Sequence, residues 1–179
     1  MPDRLYFTES DEANALIASD PMALLVGFEL DQRVTVMKAF QGPLALKERL
    51  GAIDAATLAS ADLEPVFFEK PVIHRYPRSM AKRVQELAVH VRDRYDGDAA
   101  RVWTDAKDSD ELRANLLALP GFGEMKVKSM GAQVGPFRDG SSSVRTAGTS
   151  SCRATFASQV MRATAARARS PSAAGRWSP

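Results

Sequence analysis

The chain reads as an all-α protein, and three observations predict it. Apolar residues recur at helical spacing, most clearly at Met80, Val84, Leu87, Val91 and Tyr95. Asp, Gly and Pro stand where helices start and stop. The one stretch that alternates at period two is RLYFT, residues 4–8.

Taken in order, the elements follow from this punctuation. Asp20 followed by Pro21 is an N-cap with proline at the first helical position, opening MALLVGFELD. Gly42-Pro43 ends one helix and starts another, LALKERL, which Gly51 closes. Asp54 caps AATLAS, and DLEPVFFEKP is a short helical turn with a proline at each side. The clearest helix begins at Pro77, carries the stripe from Met80 to Tyr95 and stops at Asp96-Gly97. Asp108, with Glu111 three residues on, resembles a capping box that opens ELRANLLAL, where Leu112, Leu116 and Leu119 share one stripe.

Composition bounds the function. A chain of 179 residues, 45% apolar and 26% charged, suits one soluble globular core. Its longest apolar runs, such as MALLVGF, are far shorter than a bilayer requires. The charged start, MPDRLYFTESDE, lacks a secretory apolar segment, so export is not expected and a cytoplasmic setting is the expectation. A single cysteine, Cys152, excludes an intramolecular disulfide framework and an all-cysteine iron–sulfur cluster within this chain. Two histidines, His74 and His90, and that cysteine give no zinc-like spacing, so no metal or cofactor is expected, and both histidines read as structural.

Charge divides the chain unevenly. Residues 131–179 hold seven Arg, no Lys and one acid, Asp139, whereas residues 1–130 hold 17 basic and 21 acidic side chains. The later segment also lacks Leu, Ile and Tyr and is rich in Ser, Ala, Arg and Gly. Such a segment buries too little surface to offset its ordering entropy. Residues 1–130 are therefore expected to form the helical domain, and 131–179 a disordered basic tail.

The stretch ALPGFGEMKVKSM, residues 118–130, carries the functional reading. Pro120 cannot continue the preceding helix without losing a backbone bond, so that helix ends around Leu119. Gly121 and Gly123 permit positive φ and close backbone approach, and Phe122 between them can anchor in the core. Glu124 begins the next helix, whose first amides lack intrahelical partners. A tight hairpin over 119–124 that presents amides beside a helix N-terminus suits a phosphate and carries no base specificity. Lys126 and Lys128 add positive charge on the second helix. A helix, Leu-Pro-Gly-hydrophobic-Gly and a second helix make up the helix-hairpin-helix DNA-binding signature.

Over about residues 20–130 the chain resembles the helix-hairpin-helix superfamily of base-excision DNA glycosylases that includes endonuclease III. ALLVGFELDQRV looks like the family's early helix, RYPRSMAKRVQELAVHVRDRYDGD like the helix leading toward the hairpin, and LPGFGEMK like the hairpin itself. The span from Gly97 to Leu119 runs a few residues longer than is usual, which a loop around VWTDAKDS would absorb. The resemblance implies a nucleoid-associated monomer that holds duplex DNA through Pro120, Gly121, Phe122 and Gly123. A damaged nucleotide would flip into a cleft, and its N-glycosidic bond would be hydrolysed. Gln32 falls where the family often places a polar residue that fills the gap left by the flipped base. An ordinary helix-end glutamine is the alternative. His74, Arg75 and Tyr76 lie in the loop where members present a wedge to the opposite strand.

The chemical residues depart from the family pattern. Met125 stands where bifunctional members carry lysine, and Lys126 is one step on, about 100° around the helix. The family's aspartate segment beyond the second hairpin helix corresponds to FRDGSSSVRT, whose only acid, Asp139, comes too early and has no histidine beside it. The catalytic carboxylate therefore stays unassigned, with Asp139 its one candidate. Two other classes stay open: a catalytically inactive helix-hairpin-helix DNA-binding module, and a helical interaction protein whose LPGFG is only a turn.

Overall fold

The structure, a computed structural model, describes residues 5–134. Among these residues there are nine helices and no strand: α1 (Asp11–Ser19), α2 (Pro21–Leu30), α3 (Val36–Leu50), α4 (Ala55–Ser60), α5 (Leu63–Phe68), α6 (Pro77–Tyr95), α7 (Arg101–Thr104), α8 (Ser109–Leu117) and α9 (Glu124–Val134). The change of composition after Met130 falls inside α9. Residues 135–179, with Asp139, Cys152 and nearly all of the expected tail, lie outside the described residues.

Helix α2 is the centre of the core. Asp20 caps it, its Oδ1 accepting from the amides of Met22 (2.9 Å) and Ala23 (3.1 Å). Every residue from Met22 to Leu30 is buried, so α2 is enclosed rather than amphipathic. Helices α1, α3 and α6 pack around it. Phe28 of α2 meets Phe40 of α3 edge to face at 5.2 Å, and Phe40 stacks on Phe7 at 4.2 Å. The two helices approach closely because of small residues. A Cβ on Gly27 would stand 2.6 Å from the Phe40 ring, and one on Gly42 only 2.3 Å from a Leu30 methyl.

That contact overturns one expectation. Gly42-Pro43 does not divide two helices, because α3 runs through both residues. Pro43 gives up its bond to the Ala39 carbonyl, but Ala39, Phe40, Gly42, Pro43 and Leu46 are all buried. Continuous burial on α2 outweighs one missing bond. Gly51 closes α3 as expected, in the left-handed conformation at φ 81°. RLYFT is corrected too. Leu5 and Phe7 point inward and Tyr6 outward, yet no strand pairs with them among the described residues. Asn14 of α1 does that work: its Oδ1 accepts from the amides of Phe7 (3.1 Å) and Thr8 (3.0 Å) and its Nδ2 donates to the Thr8 carbonyl (2.9 Å). Helix α1 has its own start signals in Ser10, Asp11 and Glu12.

Helix α6 packs on α4, α5 and α2, and the predicted stripe, Met80, Val84, Leu87, Val91 and Tyr95, is buried throughout. Arg49 of α3 ties α5 to the loop before α6, its guanidinium donating to the carbonyls of Val66 (2.6 Å) and Pro71 (2.7 Å). The expected loop around VWTDAKDS contains the short helix α7, whose Val102 and Trp103 are buried. It leads to α8, capped by Asp108 through the amides of Asp110 and Glu111. Glu111 reaches back to the Lys107 amide at 2.8 Å, one residue further than a strict capping box. Among the described residues no single helix is long and apolar enough to cross a membrane.

Candidate functional site

The hairpin is built by the end of α8 and the start of α9. The Leu119 amide donates to the Leu116 carbonyl at 3.3 Å and the Phe122 amide to the Leu119 carbonyl at 3.2 Å, winding the chain tightly through Pro120. Leu119, Phe122, Val127 and Met130 bury their side chains and fix the turn to the core. The two glycines differ. Gly121 takes the left-handed backbone at φ 78°, whereas Gly123 keeps an ordinary conformation and has nothing within 4 Å of where a Cβ would stand. Val127 donates to the Gly123 carbonyl at 3.1 Å. The amides of Gly123, Glu124, Met125 and Lys126 have no acceptor among the described residues. Glu124 would repel an anion here, but Arg113 of α8 takes both of its carboxylate oxygens at 2.6 and 2.7 Å.

Behind the hairpin lies the last turn of α2, with a charge in its interior. Glu29 has no exposed side-chain surface, and Lys126 of α9 donates to its Oε2 at 2.9 Å. The same ammonium reaches the Glu29 carbonyl at 3.4 Å and stands 5.2 Å from the centre of the Phe122 ring. Gln32 donates through Nε2 to Glu29 Oε1 at 2.9 Å and to the Glu29 carbonyl at 3.1 Å. Arg83 of α6 donates to Gln32 Oε1 at 2.6 Å and lies 3.8 Å from Glu29 Oε1. Gly121 presses on this group, because a Cβ there would sit 2.3 to 2.6 Å from the Glu29 carboxylate.

Burial dominates the electrostatics. It pushes the Glu29 carboxyl up, with Lys126, Arg83 and Gln32 pulling it back, and pushes the Lys126 amine down, with Glu29 opposing. Asp31, half-buried at the end of α2, is likewise raised by burial and drawn down by Lys126. His74 is buried and its pKa is lowered, first by desolvation. Its Nδ1 accepts from the Tyr76 amide at 3.0 Å, which places the proton on Nε2, 3.1 Å from the Gln32 carbonyl. Gln32 is thus held at its carbonyl by His74, at its amide by Glu29 and at its side-chain oxygen by Arg83.

Of the residues singled out from the sequence, Gln32, Gly121 and Lys126 converge on Glu29. Lys126 is turned inward, with its side chain 14% exposed, so its charge is spent on Glu29 instead of facing an incoming phosphate. Lys128 is exposed on α9. Arg75 is exposed and lies over the Tyr76 ring at 5.4 Å. With Lys38 and His74 it borders a groove of about 380 Å³. Pro120 borders another, of about 510 Å³, together with Glu86, His90, Asp93 and Arg94 of α6. Burial pushes the His90 pKa down, and its buried Nε2 has no hydrogen-bond partner among the described residues. Among the described residues no three acids, histidines or cysteines gather as a metal site. Sequence reading missed Glu29, although a lone acid inside MALLVGFEL was its trace.

Comparison with known proteins leaves the class at the level of the fold, an all-helical protein with a glycine hairpin docked on a buried ion pair: no family model, no curated protein and no solved structure matches the chain.

Proposed function

We propose that the protein binds duplex DNA through the 119–124 hairpin, in the manner of the helix-hairpin-helix base-excision glycosylases, and acts in excision of a damaged base. The observation that carries this reading is the run of four amides without acceptors, Gly123 to Lys126, at the start of an 11-residue helix. Amides so arranged favour a phosphate through both their hydrogens and the helix dipole. The open space at Gly123 lets a phosphodiester approach the backbone, and Lys128 supplies an exposed charge on the same helix.

Gly123→Val tests the reading, because the protein itself has room for the side chain. The variant keeps the wild-type melting temperature and binds every duplex sequence about tenfold more weakly, ~1.4 kcal/mol. Lys128→Ala lowers the salt slope of binding by about one. A folded Gly123→Val protein with unchanged affinity, measured by fluorescence anisotropy, ends the proposal.

One observation favours binding without excision. The carboxylate packed against the hairpin, Glu29, is fully enclosed and committed to Lys126 and Gln32. A glycosylase needs a carboxylate at the reacting sugar, and loss of such electrostatic stabilisation costs on the order of 10²–10³ in rate. Single-turnover assays on uracil, 8-oxoguanine, alkylpurine and mismatch duplexes separate the two readings.

A further inference from the structure

Glu29 is more than a latch between helices. Its Oε2 receives Lys126 of α9 and its Oε1 receives the Gln32 side chain, while its backbone carbonyl lies within reach of both donors. The carboxylate also occupies the space where Gly121 would carry a side chain. Hairpin backbone, second hairpin helix and Gln32 therefore meet on one side chain.

A latch alone would not need this chemistry. Two well-packed apolar side chains hold helices together as well as a buried ion pair does, without the desolvation cost. The second oxygen is spent on a glutamine at the helix end, which contributes nothing to the core. What the contact does is fix that glutamine. A long polar side chain loses rotamer entropy when it is immobilised. Ordering it before a ligand arrives removes that loss from binding. Arg83 and His74 complete the restraint from the other side.

We propose that Glu29 is the positioning residue of the binding face: one buried carboxylate locks the hairpin and Gln32 into a single rigid unit, so that the two segments engage DNA in fixed register. The inference rests on the DNA-binding reading for its purpose, and on the geometry alone for the coupling.

The test has two arms, run on the full chain with wild type, Glu29→Gln and the double variant Glu29→Leu/Lys126→Met. The double variant leaves no unpaired charge and guards against misfolding of the single one. In the first arm, amide hydrogen exchange is followed at Gln32, Phe122, Val127 and Met80. Both variants lose about tenfold protection at Gln32, Phe122 and Val127 together, while Met80 in α6 keeps its protection. Unchanged exchange at the first three, or an equal loss at Met80, overturns the proposal.

The second arm compares affinity for an intact duplex and for the same duplex carrying an abasic-site analogue. Wild type prefers the abasic duplex. Glu29→Gln and Gln32→Ala each reduce that preference by about tenfold, and together by no more than either alone. Equal weakening on both duplexes is the mark of a merely structural role and overturns the assignment, as do reductions that multiply. Failure of wild type to bind either duplex sinks the DNA reading, and the exchange arm then still decides whether Glu29 couples the two segments.

Discussion

Helices α6 and α9 are both anchored to the body of the protein, by opposite means. Helix α6 uses an apolar stripe whose Val84, Leu87 and Val91 have no exposed surface. Helix α9 adds to Val127 and Met130 a charge pair sealed beneath the hairpin, Lys126 on Glu29. The stripe is non-directional, since any apolar group of similar volume holds α6 in place. The pair specifies which atoms meet, and so fixes the register of a loop. Where α6 has only to be inside, the hairpin has to be in one place.

Breaking each anchor exposes the contrast. Glu29→Leu leaves the Lys126 ammonium buried without its partner and costs about 3–5 kcal/mol in chemical denaturation. Adding Lys126→Met returns stability to within about 1 kcal/mol of wild type, because neither charge is then stranded. Leu87→Ala in α6 costs about 2–5 kcal/mol as a cavity, and substitution of no single neighbour restores it. Equal stability of Glu29→Leu and the double variant would show that Lys126 finds water.

The hairpin glycines sharpen the comparison at smaller scale. Gly121→Ala places a Cβ against the Glu29 carboxylate in a left-handed backbone, and costs about 1–3 kcal/mol. Gly123→Ala meets open space without positive φ and stays within about 0.5 kcal/mol. Thermal melts that rank the two equally would remove the contact between hairpin and carboxylate.

The smallest effect is the dependence on acid. Burial lowers the His74 pKa below 6.5, so the folded protein binds that proton less readily than the unfolded chain. Its contribution is full above pH 6.5 and is lost as the pH falls through the depressed value. Protonation puts a second donor against the Tyr76 amide. The stability difference between wild type and His74→Gln should therefore shrink as the pH drops from 7. A constant difference would place the proton elsewhere.

These anchors also differ in how far they were legible. The stripe of α6 is local, and its five positions announce helix, face and burial at once. The caps at Asp20, Asp54 and Asp108 and the turn at Gly121 are local in the same sense. Helix α3 was misread because Gly42 looks like punctuation, whereas its small size serves contact with Leu30, a residue of another helix. RLYFT alternates inward and outward as a strand would, but the backbone partner is the Asn14 side chain. Of the candidate site, the tight turn at Gly121 was legible, whereas the closing of Gln32 and Lys126 on Glu29 was hidden. An acid within an apolar helix shows that a buried charge needs a partner, and no spacing rule identifies that partner as Lys126.

The span of that pair has a kinetic consequence. Arg113 and Glu124 close the hairpin across 11 residues, whereas Glu29 and Lys126 are separated by 97. Closing the longer loop costs about 2 kcal/mol more in chain entropy. The hairpin can therefore wind while the rest of the chain is still searching, and its docking on Glu29 is expected to come late in folding, which a φ-value near zero for Gly121→Ala would check. Contacts made after the barrier do little for the rate of folding and act chiefly on the rate of escape from the native state. The pair thus sets how long the loop stays seated once it has arrived.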